Sequence, residues 1–278
     1  MKNRQLVAVF LLAAALPIQS RVVNPGPQRT VRVKIAIDEE FRKQPLHLLK
    51  ARKWVTTASQ FFDKHFGLSF EVSEFKSWTS ANSETALSGL LHDLYEAIPS
   101  GESEIVLGFT GQIGSDSAAS GVAAYRHGYA VVKRMKNEYT TALTVTHELC
   151  HLFGAVDLEG ELSIMDKDEP RFECDEFTRQ IVRLHLGRGF DPAVFPLSAK
   201  GMVSALDSCL ARKKLHRKEA GVPLMLAVIY LEMEDFEQAI KECLEAEKIA
   251  PRDPMIQELM SLASQKRQRL SPGWGARI

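Results

Sequence analysis

Residues 147–157, with the sequence HELCHLFGAVD, contain the most informative spacing of polar side chains in this chain. His147 and His151 are four residues apart, so in a helix they lie on the same face, with Glu148 next to the first of them. Two imidazoles on one helix face can bind a single Zn²⁺ ion, and a carboxylate beside them can reach a water molecule on the metal. The spacing therefore predicts a helix that carries a metal site.

The residues after His151 predict how this helix ends. Gly154 occupies a position at which a helix can end in a left-handed turn, which glycine adopts at little cost. The chain can then double back and bring Asp157 to the metal as a third ligand. Catalytic zinc sites have three protein ligands and one open position. We therefore predict one catalytic zinc ion bound by His147, His151 and Asp157, with Glu148 as the catalytic base.

A bare HExxH pattern also arises by accident in amphipathic helices, where its histidines are ordinary surface residues. Here the surrounding sequence favours the metal site, because residues 139–153 have the apolar periodicity of a helix and the glycine and the further ligand follow at suitable positions. The apolar positions of that helix are Ala142, Val145, Leu149 and Leu152.

The motif at residues 147–157 resembles the HExxHxxGxxH/D pattern of the metzincin zinc metalloproteases. Met165, in the sequence Ser163-Ile164-Met165, is similar to the methionine of the family's Met-turn. The resemblance covers about residues 31–190 and implies an endopeptidase in which Glu148 activates a zinc-bound water to hydrolyse peptide bonds. It also implies that Met165 forms an apolar floor beneath the metal, a role compatible with that of an ordinary core methionine.

The sequence departs from the usual family pattern at two positions. Most members have histidine as the third ligand, where this chain has Asp157. The carboxylate would leave the zinc less electron-poor and its water less acidic than three imidazoles would. Lys167 stands where some subfamilies have a tyrosine that moves on and off the metal.

Upstream of the motif, hydrophobic patterning predicts alternating strands and helices. Residues 31–37 and 68–75 alternate with period two, residues 45–66 and 84–98 have helical spacing, and residues 105–109 form a short apolar run typical of a buried strand. The order is β-α-β-α-β. With the resemblance, it implies an α+β catalytic domain with a twisted, mostly parallel sheet, an antiparallel edge strand and an active-site helix.

Two further short strands are predicted before the active-site helix, at residues 122–126 and 129–133. Substrate backbone would pair with an edge strand, and the first of the two is our candidate. An ordinary hairpin strand is the alternative. The candidate substrate-binding residues are Gly121, Val122, Ala123, Ala124 and Tyr125.

Residues 1–20 have the composition of a signal peptide. Lys2 and Arg4 precede an apolar run at residues 6–16 that is too short to span a bilayer comfortably. A buried N-terminal helix is the alternative. We expect a signal peptide at residues 1–20, a leader at residues 21–30, and a secreted or periplasmic mature chain without a transmembrane anchor.

The charge balance argues against nucleic acid as a partner, because 35 lysine and arginine residues offset 35 aspartate and glutamate residues. Peptide or protein substrates are the expected partners. Of the four cysteines, Cys150 and Cys174 are expected to lie near each other, either as a disulfide or as two buried free thiols.

Residues 191–278 are predicted to form a small all-α unit after the catalytic domain at residues 31–190. From Ala220 onward the sequence matches the 34-residue tetratricopeptide (TPR) pattern. Such a TPR-like unit could bind a protein partner, or it could be a helical hairpin that only caps the core. The matching positions are Leu226, Ala227, Tyr230, Ala239, Ala246 and Pro251.

Two other functions remain open from sequence alone. One is a binding protein with a TPR-like scaffold beside an inactive protease fold; Glu148 argues against it, because a degenerate site is expected to lose its base first. The other is a gluzincin-type peptidase that uses a downstream glutamate such as Glu173 in place of Asp157. Gly154 argues against it, because an uninterrupted helix would suit that arrangement better.

Overall fold

The structure is a computed structural model. It describes residues 29–81, 86–112, 120–125, 127–191, 193–251 and 254–270. The expected signal peptide at residues 1–20 lies outside the described residues, as does the expected leader up to residue 28. No helix within the described ranges is both long enough and apolar enough to span a bilayer.

One five-stranded sheet forms the centre of the molecule. Its spatial order is β2-β1-β3-β5-β4, with every neighbouring pair parallel except β4 and β5, which are antiparallel. The strands are β1 (Arg29–Ile37), β2 (Leu68–Ser77), β3 (Ile105–Thr110), β4 (Gly121–Ala124) and β5 (Tyr129–Lys133). All residues of the central strand β3 are buried, as expected for a parallel strand covered on both faces. The predicted α+β fold with an antiparallel edge strand is confirmed.

Helices cover both faces of this sheet. The helices of this part of the chain are α1 (Glu39–Arg42), α2 (His47–Phe66), α3 (Leu87–Ala97) and α4 (Glu138–Leu152). Alternate residues of β1, such as Val33 and Ile35, share the main core with α2 and α4, whereas Ala36 belongs to a second core with α3. The period-two pattern in the sequence therefore corresponds to two differently covered faces.

The candidate substrate strand is shorter than the sequence predicted. β4 ends at Ala124, and Tyr125 lies in the following turn, so its inclusion in the strand was wrong. The physical reason is that the His127 N–H donates to the Ala124 carbonyl at 3.0 Å, and Gly128 then adopts a left-handed φ of +72°. These two features turn the chain directly into β5.

Five helices follow the active-site region among the described residues: α5 (Glu176–His185), α6 (Ala199–Leu215), α7 (Gly221–Glu232), α8 (Phe236–Ile249) and α9 (Pro254–Leu270). Each contacts the next one along the chain, and α7 also contacts α9. Fully buried residues of α6 and α7, including Cys209, Val222 and Leu226, belong to the same main core as α4. The domain boundary at residue 191 and the TPR-like character of these helices stay predictions.

All four cysteines are free and buried. Burial raises the pKa of the Cys150 thiol, and it raises that of Cys174 to about 12. The structure therefore has the free-thiol form of the two alternatives considered for this pair.

Candidate metal centre

Helix α4 has a defined start and a defined end. At its start the Asn137 side chain accepts a hydrogen bond from the Thr140 N–H at 2.7 Å, which caps the first turn. After its last residue, Gly154 adopts a left-handed φ of +82°. A Cβ at this position would overlap the imidazole of His185, so both the backbone angle and the packing require glycine.

This helix end brings together the three predicted ligands. The Nε2 atoms of His147 and His151 lie 3.0 Å apart. Oδ1 of Asp157 lies 3.1 Å from the first and 3.4 Å from the second. Among the described residues, these three form the one group of metal-binding side chains whose ligand atoms all lie within 4.8 Å of one another.

Backbone carbonyls orient both imidazoles. Nδ1 of His147 lies 2.8 Å from the Ile164 carbonyl oxygen, and Nδ1 of His151 lies 2.9 Å from that of Ala155. A carbonyl oxygen can only accept, so Nδ1 of each ring carries the hydrogen and Nε2 presents a lone pair towards the centre. This is the tautomer that a metal-binding histidine needs.

The donor set fits zinc. Two imidazole nitrogens and a carboxylate oxygen are ordinary zinc ligands, and tetrahedral coordination with bonds of about 2.0–2.1 Å places ligand atoms roughly 3.3 Å apart. The observed separations of 3.0–3.4 Å are close to that value. Three electron pairs directed at one point repel each other unless a cation lies between them.

The charges around the centre favour positive charge there. Burial lowers the pKa of His151, but the charge of Asp157, its hydrogen bond and the charge of Glu148 together raise this pKa to about 9. Burial raises the pKa of Asp157, and the two histidines more than reverse that effect, so the pKa lies below its usual value. The site therefore holds either protons or a metal cation, and the two compete.

Glu148 lies beside the three predicted ligands in a buried position. Its side chain is buried, with 4% of the residue exposed, and burial raises the pKa of its carboxyl group although both histidine charges oppose the shift. Its Oε2 atom has no hydrogen-bond partner among the residues that the structure describes. A buried carboxylate oxygen left unpaired beside a metal site is suited to accept a proton from water.

Gly121 allows Glu148 to occupy this position. A Cβ on Gly121 would overlap the Glu148 carboxylate, so the backbone of β4 and the carboxylate are in direct contact. Gly121 was predicted in the edge strand, but its packing role against Glu148 was not predicted. The contact joins residues from separate elements, and local spacing carries no signal for it.

The segment that contains Met165 supports two of the ligands through its backbone. The Ile164 carbonyl binds His147, and the Met165 carbonyl accepts the Leu158 N–H at 2.8 Å, one residue after Asp157. Met165 itself is fully buried in the main core. Glu173, the ligand of the gluzincin alternative, is exposed and lies outside the ligand group.

The ligand loop at residues 155–161 is also braced by the C-terminal helices. Arg212 of α6 forms ion pairs with the buried Glu219 and with Glu161 at 2.9 Å. Glu219 also accepts the Glu159 N–H at 3.4 Å. Neither Arg212 nor Glu219 could be predicted as part of the site, because lone charged residues more than 50 positions away from the motif carry no recognisable pattern.

A cleft of about 420 Å³ opens beside the metal ligands. Of the candidate substrate-binding residues, Gly121, Val122, Ala123 and Tyr125 line it, whereas Ala124 does not. Tyr125 is fixed by a hydrogen bond of 2.6 Å to Nε2 of His185. The cleft is large enough to hold part of an extended peptide.

The part of the chain that contains this site matches a known protein family. The model of a family described as metallo-peptidase family M12 (Reprolysin_5) matches residues 27–171. No curated protein matches the chain.

Three solved structures match the chain weakly. A chaperone–substrate complex has a TM-score of 0.41 and 8% identity over 56% of this chain and 33% of its own. A zinc-dependent peptidase from Methanocorpusculum labreanum has a TM-score of 0.38 and 13% identity over 54% and 99%. Metalloproteinase-II from Bacteroides fragilis has a TM-score of 0.35 and 13% identity over 64% and 53%. The match thus spans a third of the first of these proteins and about half of the third.

Proposed function

We propose that this chain, which belongs to metallo-peptidase family M12, is a secreted zinc-dependent endopeptidase with Glu148 as its general base. As a zinc metallopeptidase it acts on peptides or proteins. The observation that carries the proposal is the buried, unpaired Oε2 of Glu148 beside three convergent metal-ligand atoms. Among the described residues this oxygen therefore serves no structural hydrogen bond.

His147, His151 and Asp157 would hold the zinc ion, which when bound acidifies water and stabilises negative charge on a carbonyl oxygen. Glu148 accepts the proton of the attacking water at Oε2 and returns it to the leaving amine. Its raised pKa suits both steps, because the carboxyl group is a stronger base when ionised and remains able to hold the proton until the amine leaves.

Strand β4 would align the substrate. It is the edge of the sheet, its only strand partner among the described residues is β5, and its residues Gly121 to Ala123 line the cleft. An extended peptide can add to such an edge by backbone hydrogen bonds. The scissile bond would then lie near Glu148, because Gly121 contacts that carboxylate.

Secretion is proposed from residues 1–20 alone, where two basic residues precede the apolar run. N-terminal sequencing of exported protein tests it, since cleavage should leave a chain that begins near Arg21.

The proposal is tested by replacing the base while leaving the ligands in place. We expect Glu148→Ala to retain one zinc ion per chain and to lose cleavage of a generic unfolded protein by about 10²-fold or more, because general-base catalysis contributes typically 10²–10⁴-fold. The measurements are elemental analysis of the metal and the initial rate of proteolysis. Glu237→Ala, which removes an exposed glutamate on α8, is the matched control and should behave as wild type. Unchanged turnover in Glu148→Ala would rule out this mechanism.

A further inference from the structure

Part of the cleft is built by elements outside the segment that matches the peptidase family. That match ends at residue 171, whereas the cleft is also lined by four apolar residues of α7 and α9. These residues are Leu224, Met225, Val228 and Met255. The C-terminal helices are therefore part of the wall of the candidate active site as well as of the core.

Helix α7 begins in contact with the third metal ligand. A Cβ added to Gly221 would lie 2.8 Å from Cβ of Val156 and 3.1 Å from the carbonyl oxygen of Asp157. Glycine at this position thus lets the first turn of α7 pack directly on the ligand segment. The position of the helix is fixed relative to the metal centre.

The same face of α7 continues along the cleft. Leu224, Met225 and Val228 follow Gly221 by three, four and seven residues, which places all of them on one helix face. With a rise of 1.5 Å per residue, this face extends roughly 10 Å from the ligand segment. That length corresponds to about three residues of an extended peptide.

This face is apolar throughout. Leu224 and Met225 also pack in the core and are 9% and 6% exposed, so Val228 is the more accessible α7 side chain in the cleft. The other sides of α7 pack in the core alone. Val222, Leu226 and Ile229 are fully buried in the main core, and Ala227 packs with α8 and α9. Apart from the predicted ligands and Glu148, the charged residues that line the cleft are Asp166 and Lys167, both from the segment after Asp157. Lys167 is paired with Glu159 at 2.6 Å. An apolar wall in an open cleft beside a reactive centre is typical of a ligand-binding surface.

We propose that this face of α7, extended by Met255, is a specificity subsite that accepts a large apolar side chain, such as that of Leu, Met or Phe, from the substrate residue next to the cleaved bond. The inference rests on the proposed peptidase function. The proximity of Gly221 to Asp157 places the subsite next to the reacting bond, and the flexible methionines can adapt to apolar side chains of different shape.

Mapping of cleavage sites tests the subsite. The full-length zinc protein is incubated with a peptide library prepared from a cell extract, and the cut sites are identified by mass spectrometry. At one position next to the cut bond, we expect Leu, Met and Phe to be preferred over Asp, Glu and Lys by at least about tenfold, the lower limit for discrimination in an apolar pocket.

Two substitutions of Val228 change the volume of the subsite in opposite directions. Val228 is only partly buried and lines the cleft, so both should be tolerated. Val228→Phe should shift the preference at that position towards Ala and Ser, and Val228→Ala should shift it towards bulkier residues such as Trp. Val203→Phe makes the same enlargement on α6, at a residue that is 51% exposed and outside the cleft lining, and should keep the wild-type pattern.

Binding gives a readout that does not depend on turnover. Zinc-loaded Glu148→Ala protein is titrated by calorimetry with two peptides that differ only by Leu or Asp at the preferred position, and the Leu peptide should bind at least about tenfold more tightly. Cleavage with the same preference in wild type and both Val228 variants overturns the subsite and leaves the peptidase proposal standing. Absence of cleavage by the wild-type protein overturns both.

Discussion

Asp157 determines which class of zinc peptidase this centre resembles. It contributes the one carboxylate of the three-ligand group, and its position follows from the left-handed turn at Gly154. Glu173 offers the same functional group a short distance along the chain but is exposed. Asp157 and Glu173 differ in where the chain carries them after the helix, because only the sharp turn at Gly154 returns a side chain to the two imidazoles.

Replacement of these two carboxylates separates the two ligand sets. Asp157→Ala should weaken zinc binding by more than about 100-fold, since even loss of a group that only supports a ligand costs 10–100-fold in metal affinity. Glu173→Ala should bind zinc as the wild type does. Competition with a fluorescent chelator gives both affinities. The reverse pattern would assign the chain to the gluzincins.

A contact between strand β4 and helix α4 requires glycine at position 121. Because a Cβ there would overlap the Glu148 carboxylate, Gly121→Ala should displace this proposed base without touching the three predicted metal ligands. A displacement of about 1 Å can cost on the order of 10²-fold in rate. We expect kcat to fall by roughly 10–100-fold with zinc affinity unchanged.

Steady-state kinetics and metal analysis of the same sample check this expectation. Gly187→Ala is the matched control, because a Cβ at Gly187 would meet no atom within 4 Å. Equal kcat for Gly121→Ala and the control would show that Glu148 does not need its position against β4.

Among the elements, α5 holds the turn after the active-site helix. Its His185 is fully buried, contacts Gly154, and donates from Nδ1 to the Ile181 carbonyl at 2.8 Å. Nε2 then accepts the hydrogen bond from the Tyr125 hydroxyl at 2.6 Å. One neutral imidazole thus joins α5 to the end of α4 and to the turn between β4 and β5.

This arrangement predicts a loss of stability in acid. Burial lowers the pKa of His185 from 6.5 to about 4, so between these values the unfolded chain binds a proton that the folded chain excludes. The free energy of unfolding should therefore fall as the pH decreases from about 6.5 to 4. For a shift of this size, the loss at pH 4.5 is roughly 2–3 kcal/mol.

Urea unfolding at pH 7.5 and pH 4.5 measures the effect. Chelator is added to every sample, so that release of zinc does not contribute to the change in stability. His185→Gln keeps an acceptor for Tyr125 but does not titrate, so its stability should decrease by about 2–3 kcal/mol less than that of the wild type. The same decrease in both proteins would exclude His185 as the source.

For the whole molecule, the C-terminal helices and the catalytic part form one packed unit. Val222, Leu226 and Ile229 of α7 are fully buried in the main core, and each contributes about 1.5–3 kcal/mol by burial. Arg212 and Glu219 brace the ligand loop from the same side. The three apolar residues alone therefore represent a large share of a typical stability of about 5–15 kcal/mol.

A chain that ends at residue 190 should consequently fail to fold stably. We expect it to lack a cooperative urea transition and to lose stoichiometric zinc binding, because its core is exposed and its ligand loop loses its brace. A chain that ends at residue 270 keeps every described helix and is the control. Cooperative unfolding and full zinc content in the shorter chain would show that the catalytic part is independent.

The features that depend on short spacing could be predicted from the amino-acid sequence. The helical period places His147 and His151 on one face, and Gly154 permits the turn that returns Asp157 to them. Period-two alternation and a buried apolar run predicted the strands of the confirmed sheet, although β4 ended before Tyr125. These features follow from backbone geometry within a few residues, which a sequence shows directly.

The distant residues that complete the site are recognisable only in the folded chain. Gly121 contacts Glu148, Gly221 contacts the Asp157 segment, and Arg212 pairs with Glu161. Each contact joins residues 27 to 64 positions apart, from the differences 148 − 121, 221 − 157 and 212 − 161. The physical reason is that close packing of side chains fixes such contacts, and packing depends on how whole elements meet in space, which no local period encodes.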